Sequence, residues 1–267
     1  MKTNYTQPGK SERECKYDWF DSWDKLTNFI IQLSGKPKLV LEPDEIAIDP
    51  HIHTLYSHCS IAQPMDIILH SVKLGLGGIA IMDHNDVRGA NDAIKCSEHL
   101  KDLGEIPQDF LVIPGTEINT KNGHVGALFF DEVIKKPLSV EDTVRIIHEA
   151  GGLAVAVHPY HSSGIKDAIF DYPFDAVEIF SGSVFNEKQF KQNLALINDS
   201  RLSNKALLGS SDAHYVNAIG VCATAVKLEE KTLEGFKQAV IEHKTRPITA
   251  SSYSRIRKML GGIKKLR

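Results

Sequence analysis

Twelve histidines occur in this chain of 267 residues, and their placement says more than their number. The run EIAIDPHIHTLYSH sets His51 and His53 two residues apart. Side chains on a strand alternate faces, so both imidazoles point to one side and can grip one metal ion. His58 follows in a polar turn as a third donor. GGIAIMDHND ends in His84, FLVIPGTEIN in Glu117, and NGHVGALFF carries His124; GGLAVAVHPYH ends in His158, halted by Pro159, and KALLGSSDAHY delivers Asp212 and His214. A charge such as that of Glu117 on an apolar strand is costly unless something positive neutralises it, as a metal would. Singly, each histidine is more often structural than ligating. Seven imidazoles and two carboxylates, all at the ends of apolar runs, point to one site.

Nine donors exceed what one ion uses, so two or three divalent ions are expected. Imidazole and carboxylate without thiolate suit Zn, Mn or Fe over a pure Mg or Ca site. Paired ions activate water and neutralise charge on a transferring phosphoryl group. No G-x-S-x-G, Walker loop or reactive-cysteine motif is present, so the expected nucleophile is a metal-activated hydroxide. Arg88, four residues after His84, is a candidate contact for substrate phosphate, set against a plain surface residue at a helix start. His161 is a candidate substrate contact or support for the ligands.

Donors spread over more than 160 residues meet only if the fold gathers the strand ends. From Glu45 the chain alternates short apolar runs with amphipathic, capped stretches, the pattern of successive β/α units around a parallel sheet. Strands are expected at 46–52, 77–82, 110–117, 123–130, 153–157, 175–180 and 206–211. Helices are expected from Pro64 to Gly75, from near Asn85 to Gly104, from Ser139 to Gly151, and over 185–199 and 231–243. In such a barrel the carboxyl ends of the strands share one mouth.

Residues 1–45 stand apart as an accessory segment with a helix, whose Tyr17, Trp19, Phe20, Trp23 and Phe29 plug one end of the barrel or form a dimer contact or lid. Residues 46–250 are the metal-binding domain. Residues 251–267 are a basic tail, with six Lys or Arg among the last thirteen, either solvated or in contact with phosphates or anionic lipid. A hydrophobic content of 42% and a net charge of -3 indicate a soluble protein without whole-surface attraction to nucleic acid or membrane. No run nears the roughly 18 apolar residues of a membrane span, and the polar start lacks a signal-peptide core, so a cytoplasmic location is expected. Cys15, Cys59, Cys96 and Cys222 form no C-x-x-C pair and read as reduced thiols, not as a cysteine-based zinc site.

The motifs DPHIHTLYSH, MDHND, GTEIN, GHVG, HPY and SSDAH, in this order from about residue 46 to about 250, resemble the PHP (polymerase and histidinol phosphatase) family. The resemblance implies an α/β fold, a distorted seven-stranded (β/α) TIM-like barrel, with up to three metal ions. It carries the ligand role to His51, His53, His58, His84, Glu117, His124, His158, Asp212 and His214, with Glu117 bridging two ions. His58 falls where members have Asp or His, and Pro50 stands where Leu is usual. Asp49 and Asp83 precede ligand histidines and either orient them or serve the strand ends. The chain is most similar to stand-alone phosphoesterases of this family, which act on nucleoside phosphates or short oligonucleotides. The short span between His124 and His158 has no room for the cap domain common among them.

The expected activity is therefore metal-dependent hydrolysis of phosphate esters of a small molecule or nucleotide. An exonuclease on short oligonucleotides, an amidohydrolase-type hydrolase and a non-catalytic metal-binding accessory domain are the alternatives. Amidohydrolases bridge their metals through a modified lysine on the fourth strand, and NGHVGALFF has none.

Overall fold

A computed structural model of the chain describes residues 22–264. Among these, nine strands form one sheet: β1 (Glu45–Ile52), β2 (Gly78–Ile81), β3 (Leu111–Thr120), β4 (Gly123–Leu128), β5 (Leu153–Ala156), β6 (Ala176–Ser181), β7 (Ala206–Ser210), β8 (Cys222–Lys227) and β9 (Thr245–Thr249). Seven helices accompany them: α1 (Ser22–Leu33), α2 (Pro64–Lys73), α3 (Arg88–Asp102), α4 (Val140–Glu149), α5 (Glu187–Ala195), α6 (Leu233–Ile241) and α7 (Tyr253–Lys264). None is long and apolar enough to cross a membrane.

The sheet order is β7-β6-β5-β4-β3-β2-β1-β8-β9, curled into a nearly closed barrel. It has two strands more than the seven expected, because β8 and β9 add an antiparallel ribbon to β1. The sheet also departs from successive β/α units: β4 runs antiparallel to both β3 and β5. Only Lys121 and Asn122 separate β3 from β4, too few for the crossover that a parallel pair needs.

Side chains bonding to backbone close the seam between β7 and the ribbon. Thr224 Oγ1 donates to Gly209 O at 2.8 Å and accepts from Gly209 N at 3.1 Å, while Thr245 Oγ1 donates to Leu207 O at 3.0 Å. Gly209 permits this approach, since a Cβ there would strike the Ala223 carbonyl. At the mouth, Asp49 accepts from Ser211 N and Gly220 N, both at 2.9 Å, tying β1 to the segments flanking β7 and β8.

Strands β1 to β8 each send residues such as Ile48, Met82, Ile113, Val155, Leu208 and Val226 into one interior cluster, which Phe236 and Val240 of α6 join. The outer faces of the strands pack under the helices. Ile67, Ile68, Ala90, Ala93 and Leu100 of α2 and α3 cover one side, and Val140, Val144 and Ile147 of α4 cover another. Each such Ile, Leu or Val side chain contributes roughly 1.5–3 kcal/mol by leaving water.

Local signals set most helix ends. Ser139 caps α4 by accepting from Asp142 N at 3.1 Å, and Gly75, Gly104 and Gly151 follow α2, α3 and α4 at φ of 81°, 70° and 76°. The second expected helix begins later than expected, at Arg88, because Asn85 takes φ 51° and its Oδ1 accepts from Asn119 N. The expected 185–199 helix ends at Ala195 and continues as short 3-10 turns.

The segment expected as a basic tail instead forms α7 and packs down. Tyr253, Ile256 and Leu260 are buried, Tyr253 Oη donates to Ser181 O at 2.8 Å, and Arg257 pairs with Glu187 while lying 3.9 Å from the centroid of the Phe190 ring. Apolar residues at helical spacing, interleaved with basic ones, produce this face. The accessory segment contains α1, which packs by Ile30 and Ile31 against this same group. Phe29 is 55% exposed and plugs nothing; Tyr17, Trp19, Phe20 and the side chain of Trp23 lie outside the described residues.

Asp49→Ala is expected to lower stability, because two buried N–H groups lose their acceptor at roughly 1–3 kcal/mol each. Burial raises the Asp49 pKa to about 6 against the hydrogen bonds from Ser211 and Gly220. Its folded value therefore exceeds the unfolded one of about 3.9, so the ionised group costs stability above pH 6, and that cost fades as pH falls from 6 towards about 4. Urea unfolding across this window should show that slope in the parent and lack it in Asp49→Ala.

Candidate metal centre

Irregular backbone aims the donors into the mouth. β1 carries an extra residue relative to β2 between Asp49 and Ile52. This bulge shifts the alternation, so that His51 and His53 share the inward side with Ile48, while Ile52 joins the outer cluster. His53 N donates to Ala213 O at 3.0 Å, which brings the end of β1 beside the Asp212–His214 turn. His84, just past β2, bridges in register to Glu117 on β3. In the β3–β4 hairpin Glu117 pairs with Gly126, so His124, two residues from that glycine, lies diagonally on the same face. His158 and Asp212 sit just beyond β5 and β7 at φ of 28° and 48°. Such strain costs on the order of 1–3 kcal/mol per residue and clusters at functional sites.

Glu117 is the hub. Its two oxygens lie 2.7 Å from His124 Nδ1, 2.9 Å from His158 Nε2, 3.1 Å from His84 Nδ1, 3.5 Å from His53 Nε2 and 3.6 Å from His51 Nε2. Asp212 lies 3.0 Å from His53 Nε2, 3.5 Å from His51 Nε2 and 3.9 Å from both His158 and His214. His58 is the outlier: it is exposed at the rim, its ring centroid 5.3 Å from that of His84.

Hydrogen bonds around the rings assign their protons. Ser57 Oγ donates its one hydrogen to Asp83 Oδ1 at 2.6 Å, so at its 3.1 Å contact His53 Nδ1 must be the donor. His51 Nδ1 likewise donates to Glu178 Oε1 at 2.9 Å. As neutral rings both would leave Nε2 with a lone pair, and the two Nε2 atoms face each other at 3.1 Å. Two lone pairs repel at that distance unless a proton or a metal ion stands between them. The donor set therefore fits a divalent cation, which imidazole and carboxylate together bind well.

Electrostatics agree. Burial pushes Glu117 up, but hydrogen bonds from His124, His158 and His51 outweigh it and hold the carboxyl well below its usual range; Asp212 is held down similarly by His51 and His53 against its burial. Burial opposes charge on His51, yet Glu178 and Asp212 raise its pKa well above the ordinary value. Burial, with neighbouring imidazoles, drops His53 to about 4 and His84 to about 3, leaving their nitrogens free to ligate at neutral pH.

Three side chains important to this arrangement escaped the sequence reading as ligand supports. Glu178, fully buried on β6, holds His51 and also accepts from His158 N at 2.9 Å. Its run, DAVEIF, shows an acidic residue on an apolar strand, the same signal that singled out Glu117. Ser57 bridges His53, Asp83 and, as acceptor, His84 N at 3.1 Å. Cys59 brings its sulfur to the group of His53, His84 and His214, with one donor atom from each within 4.8 Å of the others. Two further such groups are His51, His53 and Glu117, and His84, Glu117 and His124. Burial, with Asp212 and Glu117, pushes the Cys59 thiol up.

Asp83 organises the turn that carries these donors: it accepts from Thr54 N, Thr54 Oγ1, Ser57 N and Ser57 Oγ at 2.5–3.1 Å. Gly89 leaves room for it, since a Cβ there would collide with Asp83 Oδ2 and Thr54 Oγ1. Asp49, in contrast, accepts from the backbone of Ser211 and Gly220 at the seam and serves the strand ends. Of the candidate substrate contacts, His161 is half-buried, its ring 5.3 Å from that of His158 and its Nδ1 2.8 Å from Ser163 Oγ. Arg88 is exposed and turned onto Asp86 through Nε and Nη2, 5.0 Å from the centroid of the Tyr56 ring.

A barrel whose mouth gathers histidines and carboxylates from several strands defines the class of metal-binding (β/α) barrels. The chain belongs to the PHP family: the PHP domain model matches residues 49–263. An uncharacterized protein of Methanocaldococcus jannaschii, MJ1587, is 36% identical over 160 residues, covering 55% of this chain and 88% of that protein. Among solved structures, a two-domain protein of Bacteroides vulgatus containing a predicted PHP-like metal-dependent phosphoesterase superposes with TM-score 0.62 at 19% identity, over 81% of this chain and 68% of that one. PsfC of Pseudomonas syringae gives TM-score 0.57 at 18% identity over 84% and 99%. An amidohydrolase of Chromobacterium violaceum, solved with sulfate and no metal, gives 0.50 at 17% identity over 74% and 97%. At such identities these structures speak to fold.

Two outcomes are expected. Glu178→Gln should weaken binding of a divalent ion about 10- to 100-fold, the usual effect of losing the partner of a ligating histidine, as read by titration calorimetry. An ion supplied at about 100 times its dissociation constant should stabilise the parent by about 2.7 kcal/mol. That corresponds to a melting temperature roughly 5–10 °C above that in chelator.

Proposed function

We propose that this protein hydrolyses phosphate esters of a small molecule or nucleotide, using divalent ions held in the barrel mouth by His51, His53, His58, His84, Glu117, His124, His158, Asp212 and His214. The observation that carries the reading is the facing pair of His51 and His53 Nε2 atoms, 3.1 Å apart with their Nδ1 hydrogens already committed, beside the buried carboxylates of Glu117 and Asp212. Glu117, reached by five imidazoles, is the natural bridge between ions. Zn, Mn or Fe suits the donors, in two or three positions.

When bound, such ions supply Lewis acidity and water acidic enough to attack near neutral pH. The protein's own contribution is preorganisation. Glu178 and Ser57 keep protons on the Nδ1 atoms, Asp83 holds the turn after β1, and the seam at Asp49 keeps the two ends of the sheet together. Little reorganisation is then needed as charge develops on the phosphoryl oxygens. His161, its ring 5.3 Å from that of His158, would donate to a substrate oxygen. Arg88 would reach one only by leaving Asp86.

Family membership supports phosphoester over amide chemistry, and the predicted PHP-like metal-dependent phosphoesterase within the B. vulgatus protein points the same way. Metal-loaded protein should release phosphate or nucleotide from one class in a panel of mononucleotides, nucleoside 3′,5′-bisphosphates, histidinol phosphate and short RNA. His158→Ala and Asp212→Ala should each lose more than about 100-fold of that activity, beyond the span seen for residues that only support a ligand. Turnover of cyclic amides with none of the phosphate panel would overturn the reading.

A further inference from the structure

The turn after β1 presents two neighbouring side chains to different surroundings: His58 is exposed, while the half-buried Cys59 faces buried His53 and half-buried His84 and His214. The turn is held firmly. Leu55 N donates to Ala62 O at 2.9 Å and Ser57 N to Thr54 O at 3.0 Å. Ser60 Oγ spans His53 O at 3.0 Å and His214 O at 3.1 Å, fastening the residue next to Cys59 to the backbone of two histidines. The sulfur consequently shares one small volume with donor atoms of His53, His84 and His214, all within 4.8 Å of one another. The rings around it are packed, with centroids of His53 and His214 4.4 Å apart and those of His53 and His84 4.7 Å apart.

One sulfur and two imidazoles, with a water in the fourth position, make a donor set for a tetrahedral ion of the Cys/His kind that zinc takes. We infer that Cys59 is a direct metal ligand, its thiolate joining His84 and His214 around one thiophilic ion in the mouth of the barrel, beside His53, whose one free lone pair faces His51. This rests on the metal-centre reading above and deepens it by giving one position a soft donor. On binding, the thiol proton is released to solvent as the sulfur–metal bond forms. A thiolate draws zinc, cobalt or cadmium more strongly than manganese. The position next to Cys59 thus differs in preference from the Glu117 positions.

Cobalt(II) is the probe, because a thiolate bound to it gives a charge-transfer absorption in the near ultraviolet that imidazole and carboxylate do not. Full-length protein stripped with chelator and loaded with cobalt is expected to show that band. Cys59→Ser should lose it while still binding cobalt at the remaining ligands, as read by metal analysis. Cobalt-loaded parent protein without the band, or a band that persists in Cys59→Ser, overturns the role of Cys59 and leaves the metal centre standing. Parent protein that binds no cobalt at all overturns both. The parent spectrum decides the matter even if the variant folds poorly.

Discussion

A carboxylate buried at the end of an apolar strand is tolerable only when positive charge comes to meet it, and Glu117 imposes that condition on the whole mouth of this barrel. Five imidazoles from four segments of chain converge on its two oxygens. Burial denies two of them a proton, driving His53 and His84 far below the ordinary histidine range, while the carboxylates push His51 and His158 upward. One proton on His51 meets the need for charge in part, and a divalent ion meets it better. Metal binding therefore competes with that proton and should tighten as pH rises.

This gathering is achieved by breaking regularity at chosen places. An uninterrupted β1 would set His51 and His53 opposite to the side of Ile48, and the bulge turns them inward. A strictly parallel barrel would carry Glu117 and His124 on strands separated by a helix; the tight β3–β4 hairpin instead makes them diagonal neighbours. His158 and Asp212 adopt left-handed backbone just beyond their strands. The three apolar clusters beneath and around the mouth absorb the cost of these distortions.

Behind the donors stands a layer of hydrogen bonds that decides what each ring can do. Glu178 and Ser57 each fix one tautomer, and Asp83 acts on His53 and His84 through Ser57. The same barrel geometry recurs in proteins with phosphoesterase and amidohydrolase descriptions, so the fold alone does not choose the reaction. That choice resides in the donors and their supports.

Much of this was legible in the chain itself. Apolar runs ending in His or carboxylate implied a shared mouth, because strand ends in such a barrel converge whatever their spacing in sequence. Capping residues and glycines marked α2 and α4 closely, since those signals act within one turn. What the sequence could not decide depends on contacts between distant residues. The bulge in β1 is seen only against β2, and β8 and β9 became strands by pairing with β1 and closing the seam. The basic stretch at 253–264 is a packed helix because Ser181, Phe190 and Glu187 receive it. Glu178 carried only the signal of an acidic residue on an apolar strand, and Cys59 no motif. Their roles exist only because tertiary structure lays one against His51 and the other among three imidazoles, where burial turns an ordinary side chain into an electrostatic partner or a donor.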